Sequence, residues 1–182
     1  AAQRAHKWAR RVGDQSPTLK RIGVMGYGPM GRAIAKGLSA LGYTVTTLSR
    51  SQPDPATPGI NHMTNDNIDA FLGQTDILIN VLPLTSETAG LLSAPLFAKL
   101  PEGAALIHLG RGAHLNEADL IAALDSKQLA GATLDVFDTE PLPKDSPLWD
   151  HPGIFITPHV ASTPQFSAVV ENVQKGMAAL EE

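Results

Sequence analysis

Three side chains far apart in the chain carry complementary chemistry. Arg111, between Gly110 and Gly112, is a permanent cation whose planar fork matches a carboxylate, and its glycine neighbours leave it room to approach a ligand. His159, in the run Thr157-Pro158-His159, can exchange a proton near neutral pH. Glu140, if it lies beside His159, would orient the ring and favour its protonated form. A carboxylate anchor and a proton donor, joined to a hydride donor, are what reduction of a 2-oxo acid needs. Each residue also has a plain structural reading. Arg111 can cap a strand, Glu140 before Pro141 can sit in a solvated turn, and His159 can be a loop or capping histidine. Asp135 resists such a reading, because a carboxylate inside an apolar strand needs partners.

The hydride donor has its own signature. RIGVM runs directly into GYGPMG, so Gly26, Gly28 and Gly31 form G-x-G-x-x-G between a strand and a helix. The first glycine permits a tight turn, the second lets a pyrophosphate approach the backbone, and the third lets helix and strand pack closely. The helix start adds free N–H groups and the positive end of a dipole. Eighteen residues beyond Gly31 the second strand ends at Ser49-Arg50-Ser51, where an NAD site usually places an acid. A carboxylate there would repel a 2′-phosphate, whereas Arg50 can pair with one and Ser49 and Ser51 can donate to it. The expected cofactor is therefore NADPH in preference to NADH; the structural reading of Arg50 is a solvated turn residue.

These groups need a scaffold that brings them to one edge. Near-continuous apolar strands are expected at residues 21–25, 43–49, 76–82, 104–110, 131–137 and 153–157. Helices are expected over 29–42, ended by Gly42, over 67–74, over 94–100, and over 116–126 with Asn116 as N-cap. Residues 52–62 read as a proline-rich loop with room for a short strand near its end. Strand–helix alternation of this kind predicts a doubly wound parallel sheet, a three-layer α/β/α dinucleotide-binding domain of Rossmann type. Ligands of such sheets bind beyond the carboxyl ends of the strands, where Arg111, Glu140 and His159 all fall.

Composition narrows the classes further. At 43% hydrophobic and 18% charged, the 182 residues suit one globular domain. There is no cysteine, which rules out disulfides and thiolate metal sites and fits a reducing, cytoplasmic setting. No apolar run reaches the length of a membrane span. His6, His62, His108, His114 and His151 lack ligand spacing, so no metal is expected. The net charge is −4, yet the first 21 residues hold six basic side chains against Asp14 alone. That start reads as a solvated helix leading into the domain, with a transit peptide or a nucleic-acid arm as alternatives. No second basic cluster supports nucleic-acid binding.

GYGPMG, LPLTSETAGLL, LGRG, LDVFDTEPLP and TPHVAS, in this order and spacing, resemble the NAD(P)-binding domain of the D-isomer-specific 2-hydroxyacid dehydrogenases. Within that family the SRS and GRG segments look most like glyoxylate/hydroxypyruvate reductases. The resemblance implies that Arg111 binds the substrate carboxylate and carbonyl, and that His159 is general acid in reduction, paired with Glu140. It also implies that Asp135 holds the nicotinamide carboxamide with the backbone near Leu109 and Gly110. Pro29 and Met30 would lie over the pyrophosphate, and Leu82 and Pro83 against the cofactor. Family members are typically homodimers and carry a second domain that closes the cleft. On that basis residues 1–20 are expected to cross from the second domain, 21–163 to bind cofactor, and 164–182 to lead back. Such a segment alone is expected to bind cofactor and turn over poorly. His108 departs from the asparagine frequent in the family at that position. Two other readings stand beside this one: a 3-hydroxyacid dehydrogenase with a similar loop, and a non-enzymatic, cofactor-responsive binding or dimerisation module.

Overall fold

A computed structural model describes residues 20–52 and 57–162. The helices expected over residues 1–20 and 164–182 lie outside the described residues, Lys20 excepted.

Seven parallel strands form one sheet: β1 (Arg21–Met25), β2 (Thr44–Ser49), β3 (Ile60–Thr64), β4 (Ile77–Asn80), β5 (Ala104–His108), β6 (Leu129–Leu134) and β7 (Ile154–Ile156). Their order is β3-β2-β1-β4-β5-β6-β7. The chain therefore winds outward from β1 in one direction, then returns past it to β4 and winds in the other. Loops leaving β1 and β4 diverge at this reversal and open a crevice at the carboxyl edge.

Alternation along β1 explains why both faces are apolar. Ile22 and Val24 pack with Val45, Ile60, Ile79 and helix α1 (Pro29–Ala40). Met25 on the other face joins Leu48, Leu78 and the apolar sides of α2 (Ile68–Gly73), α3 (Ala94–Phe97) and α4 (Glu117–Asp125). Asn116 caps α4 as expected, its Oδ1 accepting from Asp119 N–H at 3.1 Å. At the opposite edge of the sheet Arg21 grips Asp76 through both Nε (3.0 Å) and Nη2 (2.7 Å), tying the start of β1 to β4.

Strand ends differ from expectation, with consequences for the site. The short strand near the end of the proline-rich stretch forms as β3 and extends the sheet beyond β2. β6 begins at Leu129 and ends at Leu134, so Asp135 lies just past the strand rather than inside it. Val136 and Phe137 keep the run apolar because they are buried, at 1% and 7% exposure, not because the ladder continues. The first residues of each outgoing loop remain hydrogen-bonded to the neighbouring strand: Val81 N to Met25 O (2.9 Å), Leu109 N to Asn80 O (3.0 Å), Asp135 N to His108 O (3.0 Å) and Thr157 N to Leu134 O (2.9 Å). These bonds make the carboxyl edge a stiff platform.

Candidate active site

The glycine loop divides its labour. A Cβ on Gly31 would lie 2.0 Å from Gly26 O, so the third glycine is demanded by helix–strand contact. Gly26 has φ of 103°, a region that L side chains avoid, and a Cβ there would meet Val81 O at 2.9 Å. Gly28 is different: among the described residues, nothing beyond its chain neighbours lies within 4 Å of its Cβ position. Gly37 and Gly73 are equally open, so what points to a ligand at Gly28 is its place as the middle glycine of the loop before α1. Gly28 also precedes α1, whose N-terminus has Pro29 in its first turn and no side-chain cap, leaving its N–H groups to a bound anion.

A cavity of about 1030 Å³ spreads from this loop along the carboxyl edge. Gly26, Gly28, Pro29, Met30 and Gly31 line one part of it. Ser49, Arg50 and Ser51 line a second, and Leu82, Pro83, Leu109 and Gly110 a third. Arg111, Asp135 and His159 also face it. Glu140 does not line the cavity; it reaches it through His159. A dinucleotide fits this donor set: an uncapped helix start for the pyrophosphate, a cation at the end of β2, and apolar walls between.

His159 and Glu140 form a tight pair, with His159 Nδ1 2.7 Å from Glu140 Oε2. Glu140 is itself fixed, because its Oε1 accepts from Phe137 N–H at 2.9 Å. The bond from His159, then the Phe137 N–H, hold the Glu140 carboxyl below its ordinary value. A carboxylate can only accept, so Nδ1 carries a proton and Nε2 is the atom left to exchange one. His159 has φ of 53°, a left-handed conformation uncommon for residues other than glycine.

Asp135 explains how that conformation is held. Its carboxylate, 1% exposed, accepts from Thr157 Oγ1 and from the N–H groups of Val160 and Ala161, both at 3.0 Å. Three donors thus bracket His159. Burial alone would push this carboxyl up; the Thr157, Val160 and Ala161 donors and nearby His159 hold it below its ordinary value.

Two expectations need correction. Room for a ligand is not what requires the glycines beside Arg111. A Cβ on Gly112 would sit 1.9 Å from Phe137 C, and one on Gly110 would sit 2.9 Å from His114 Nδ1. Both are packing requirements of the protein. Ser49, expected to donate outward, gives its hydroxyl proton to Ser51 O at 2.8 Å. Arg50 is exposed and makes no hydrogen bond or ion pair among the described residues. Arg111 has an exposed side chain whose Nη1 donates to Gly110 O at 2.7 Å, and among the described residues it meets no carboxylate.

Sequence reasoning missed several neighbours. Arg32 lines the cavity, its Nε 3.2 Å from Tyr27 O and its Cζ 5.1 Å from the Tyr27 ring centroid. Its place one residue after Gly31 was the available signal. Asn80, His108 and His114 form a buried group directly behind Arg111. A histidine and an asparagine at the ends of apolar strands were the hint. Among the described residues no cluster of histidine and acidic side chains could hold a metal ion, and no helix is long and apolar enough to cross a membrane.

A doubly wound parallel sheet with a glycine loop, an uncapped helix start and a cavity at its reversal point defines a Rossmann-type dinucleotide-binding domain. The sequence profile of the D-isomer specific 2-hydroxyacid dehydrogenase NAD binding domain matches residues 1–161. The chain belongs to that family. It is 43% identical over 161 residues to glyoxylate/hydroxypyruvate reductase A of Salmonella paratyphi B, covering 88% of this chain and 51% of that protein. It superposes with a TM-score of 0.90 and 38% identity on the NADPH-dependent glyoxylate/hydroxypyruvate reductase of Sinorhizobium meliloti, crystallised with NADP and sulfate. That match covers 99% of this chain and 58% of the other. A D-isomer specific 2-hydroxyacid dehydrogenase from Xanthobacter autotrophicus Py2, in complex with NADPH and MES, gives a TM-score of 0.88 at 39% identity, covering 98% of this chain and 74% of that one. The chain spans about half the length of the curated relatives it matches.

Proposed function

We propose that this chain is the cofactor-binding part of a reductase that converts a small 2-oxo acid of the glyoxylate or hydroxypyruvate type to its D-2-hydroxy acid with NADPH. The observation that carries the reading is the His159–Glu140 pair, 2.7 Å apart, whose histidine opens onto the same cavity as the glycine loop and Arg111.

Bound NADPH would supply the hydride. The chain's own residues do the rest. The α1 start and the backbone at Gly28 receive the pyrophosphate. Arg50 pairs with the 2′-phosphate, with Ser51 beside it; Ser49 contributes a donor only by releasing Ser51 O. Asp135 has two tasks: three of its roughly four acceptor positions hold the His159 loop, and the fourth accepts from the carboxamide. Arg111 takes the substrate carboxylate in its fork and orients the carbonyl. His159 Nε2 gives a proton to the carbonyl oxygen as it becomes a hydroxyl, while the Glu140 carboxylate holds the ring through Nδ1. Relatives named as glyoxylate/hydroxypyruvate reductases support the substrate class, and neighbours crystallised with NADP or NADPH support the cofactor.

The test is oxidation of NADPH by the full-length protein with glyoxylate or hydroxypyruvate, followed by chiral analysis of the product. Turnover to the D-hydroxy acid is expected for hydroxypyruvate. Cofactor binding with no turnover on either acid would favour a binding module instead.

A further inference from the structure

Behind Arg111 lies a fully buried polar group that the mechanism does not use. Asn80 ends β4 and His108 ends β5, and the two are register partners across the sheet. His114 follows one short turn later, and all three are 0% exposed. Asn80 Nδ2 lies 3.2 Å from His108 Nδ1 and 3.4 Å from His114 Nδ1. His108 Nε2 is 3.0 Å from Arg111 O, and His114 Nδ1 is 3.0 Å from Arg111 N. His114 Nε2 is 3.3 Å from Pro83 O, and Leu82 N is 3.3 Å from Asn80 Oδ1.

The proton positions follow from the partners. A backbone N–H only donates, so Leu82 identifies Asn80 Oδ1 as acceptor and Arg111 identifies His114 Nδ1 as acceptor. Asn80 Nδ2 then donates to His108 Nδ1, and its second N–H shares the single His114 Nδ1 lone pair with the shorter bond from Arg111 N. A carbonyl only accepts, so both Nε2 atoms carry protons, toward Arg111 O and Pro83 O. Every atom of the three side chains has one consistent role, and both rings are neutral. A proton added at either Nδ1 would meet an N–H group head-on.

We propose that Asn80, His108 and His114 form a neutral clamp that fixes the Arg111 backbone, and so aims its guanidinium at the substrate carboxylate. The proposal rests on the role given to Arg111 above. The clamp is needed because Arg111 lies between two glycines, Gly110 and Gly112, and its side chain is exposed. Both polar backbone atoms of Arg111 are held by the rings. Pro83 O is held by the same group, so the clamp also sets the spacing of two loops that line the cavity. Among the described residues, the titratable or charged groups acting on the pair are His114 on His108 and the Arg111 guanidinium on His114. Burial is the main influence on both and disfavours a charge on either ring. All three are positioning residues, since none touches substrate.

The experiment uses the full-length protein with the variants His108→Leu, His108→Gln and Arg111→Leu. Glutamine keeps a neutral donor near the position of Nε2. Loss of both His108 hydrogen bonds, to Arg111 O and from Asn80 Nδ2, in His108→Leu should raise KM for glyoxylate about tenfold, with NADPH affinity changed less than about threefold. His108→Gln should return KM close to the parent value. If Arg111→Leu raises KM and His108→Leu does not, the clamp is wrong and the reading of Arg111 stands. If Arg111→Leu leaves KM unchanged, that reading fails and the clamp falls with it. Should His108→Leu not fold, long-range ¹⁵N–¹H spectra of the unsubstituted protein decide. Both rings should be Nε2–H neutral at about pH 7, since burial lowers His108 to about 4 and lowers His114 from its ordinary value. A cationic ring, or an Nδ1–H tautomer at either position, would overturn the proposal.

Discussion

Asp135 grips the chain on both sides of His159: it accepts from Thr157 two residues before and from Val160 and Ala161 just after, while His159 itself sits at φ of 53°. The carboxylate thus holds the histidine in a backbone conformation that costs about 1–3 kcal/mol where nothing enforces it. Replacing Asp135 with Asn removes the anionic acceptor and leaves one N–H facing an NH₂ group. The expected loss in this chain's unfolding free energy is about 1–3 kcal/mol, read by denaturant titration. The pH dependence has a definite sign. A depressed carboxyl contributes stability above its unfolded value of 3.8 that is lost as pH falls through the folded value. The stability difference between parent and Asp135→Asn should therefore shrink only in acid, below about pH 4.

Gly28 and Gly112 separate ligand-driven from packing-driven glycine. Gly28→Ala adds a methyl where, among the described residues, nothing beyond its chain neighbours lies within 4 Å, so stability should change by less than about 0.5 kcal/mol. Its NADPH affinity should fall by about tenfold or more, because the methyl would occupy the space proposed for the pyrophosphate. Gly112→Ala puts a Cβ 1.9 Å from Phe137 C and should cost about 1–3 kcal/mol in stability. Thermal unfolding with and without NADPH distinguishes the two. Unchanged affinity in Gly28→Ala would remove the phosphate role of the loop.

Arg50 is exposed at the end of β2. On the proposed reading, changing it to Asp exchanges a 2′-phosphate partner for a repelling charge. NADPH affinity should weaken about 10- to 100-fold, with NADH affinity nearly constant or improved, by calorimetric titration. Equal losses for the two cofactors would refute the proposed preference.

His108 makes stability depend on pH over a different window. Burial, with His114 adding to it, lowers its value from 6.5 to about 4. Above the unfolded value neither state is protonated and the term vanishes. Between 6.5 and about 4 the unfolded chain takes a proton that the folded chain refuses, so stability falls as pH falls. The full effect is about 3 kcal/mol, and His108→Gln should flatten that part of the curve. A parent and variant with parallel curves between those limits would contradict the buried neutral ring.

Much of the scaffold was legible because parallel strands covered on both faces are apolar without interruption, as in Ile77–Asn80 and Ala104–His108. Their ends were not. Burial of Val136 and Phe137 continues the apolar pattern past the last ladder bond, which hid the fact that Asp135 begins a loop. β3 was legible only as a short strand near the end of the proline-rich stretch, and it runs on to Thr64. That Arg111, Asp135, Glu140 and His159 gather at one edge was legible from their places after strand ends, since a doubly wound sheet brings those positions together. The Asn80–His108–His114 group was not, because its members belong to two strands and a turn and carry no spacing signature; only their contacts reveal it. The reason for Gly110 and Gly112 was equally hidden, since it lies in Phe137 and His114, distant along the chain or across the turn.

The central claim is that His159 gives the proton and Arg111 holds the carboxylate. The most direct measurement is steady-state oxidation of NADPH by glyoxylate in the full-length protein, comparing His159→Asn with the parent. Asparagine tolerates the left-handed conformation, so the fold and cofactor affinity should persist while kcat falls by about 10²- to 10⁴-fold. A variant that folds, binds NADPH and turns over at the parental rate would contradict the account.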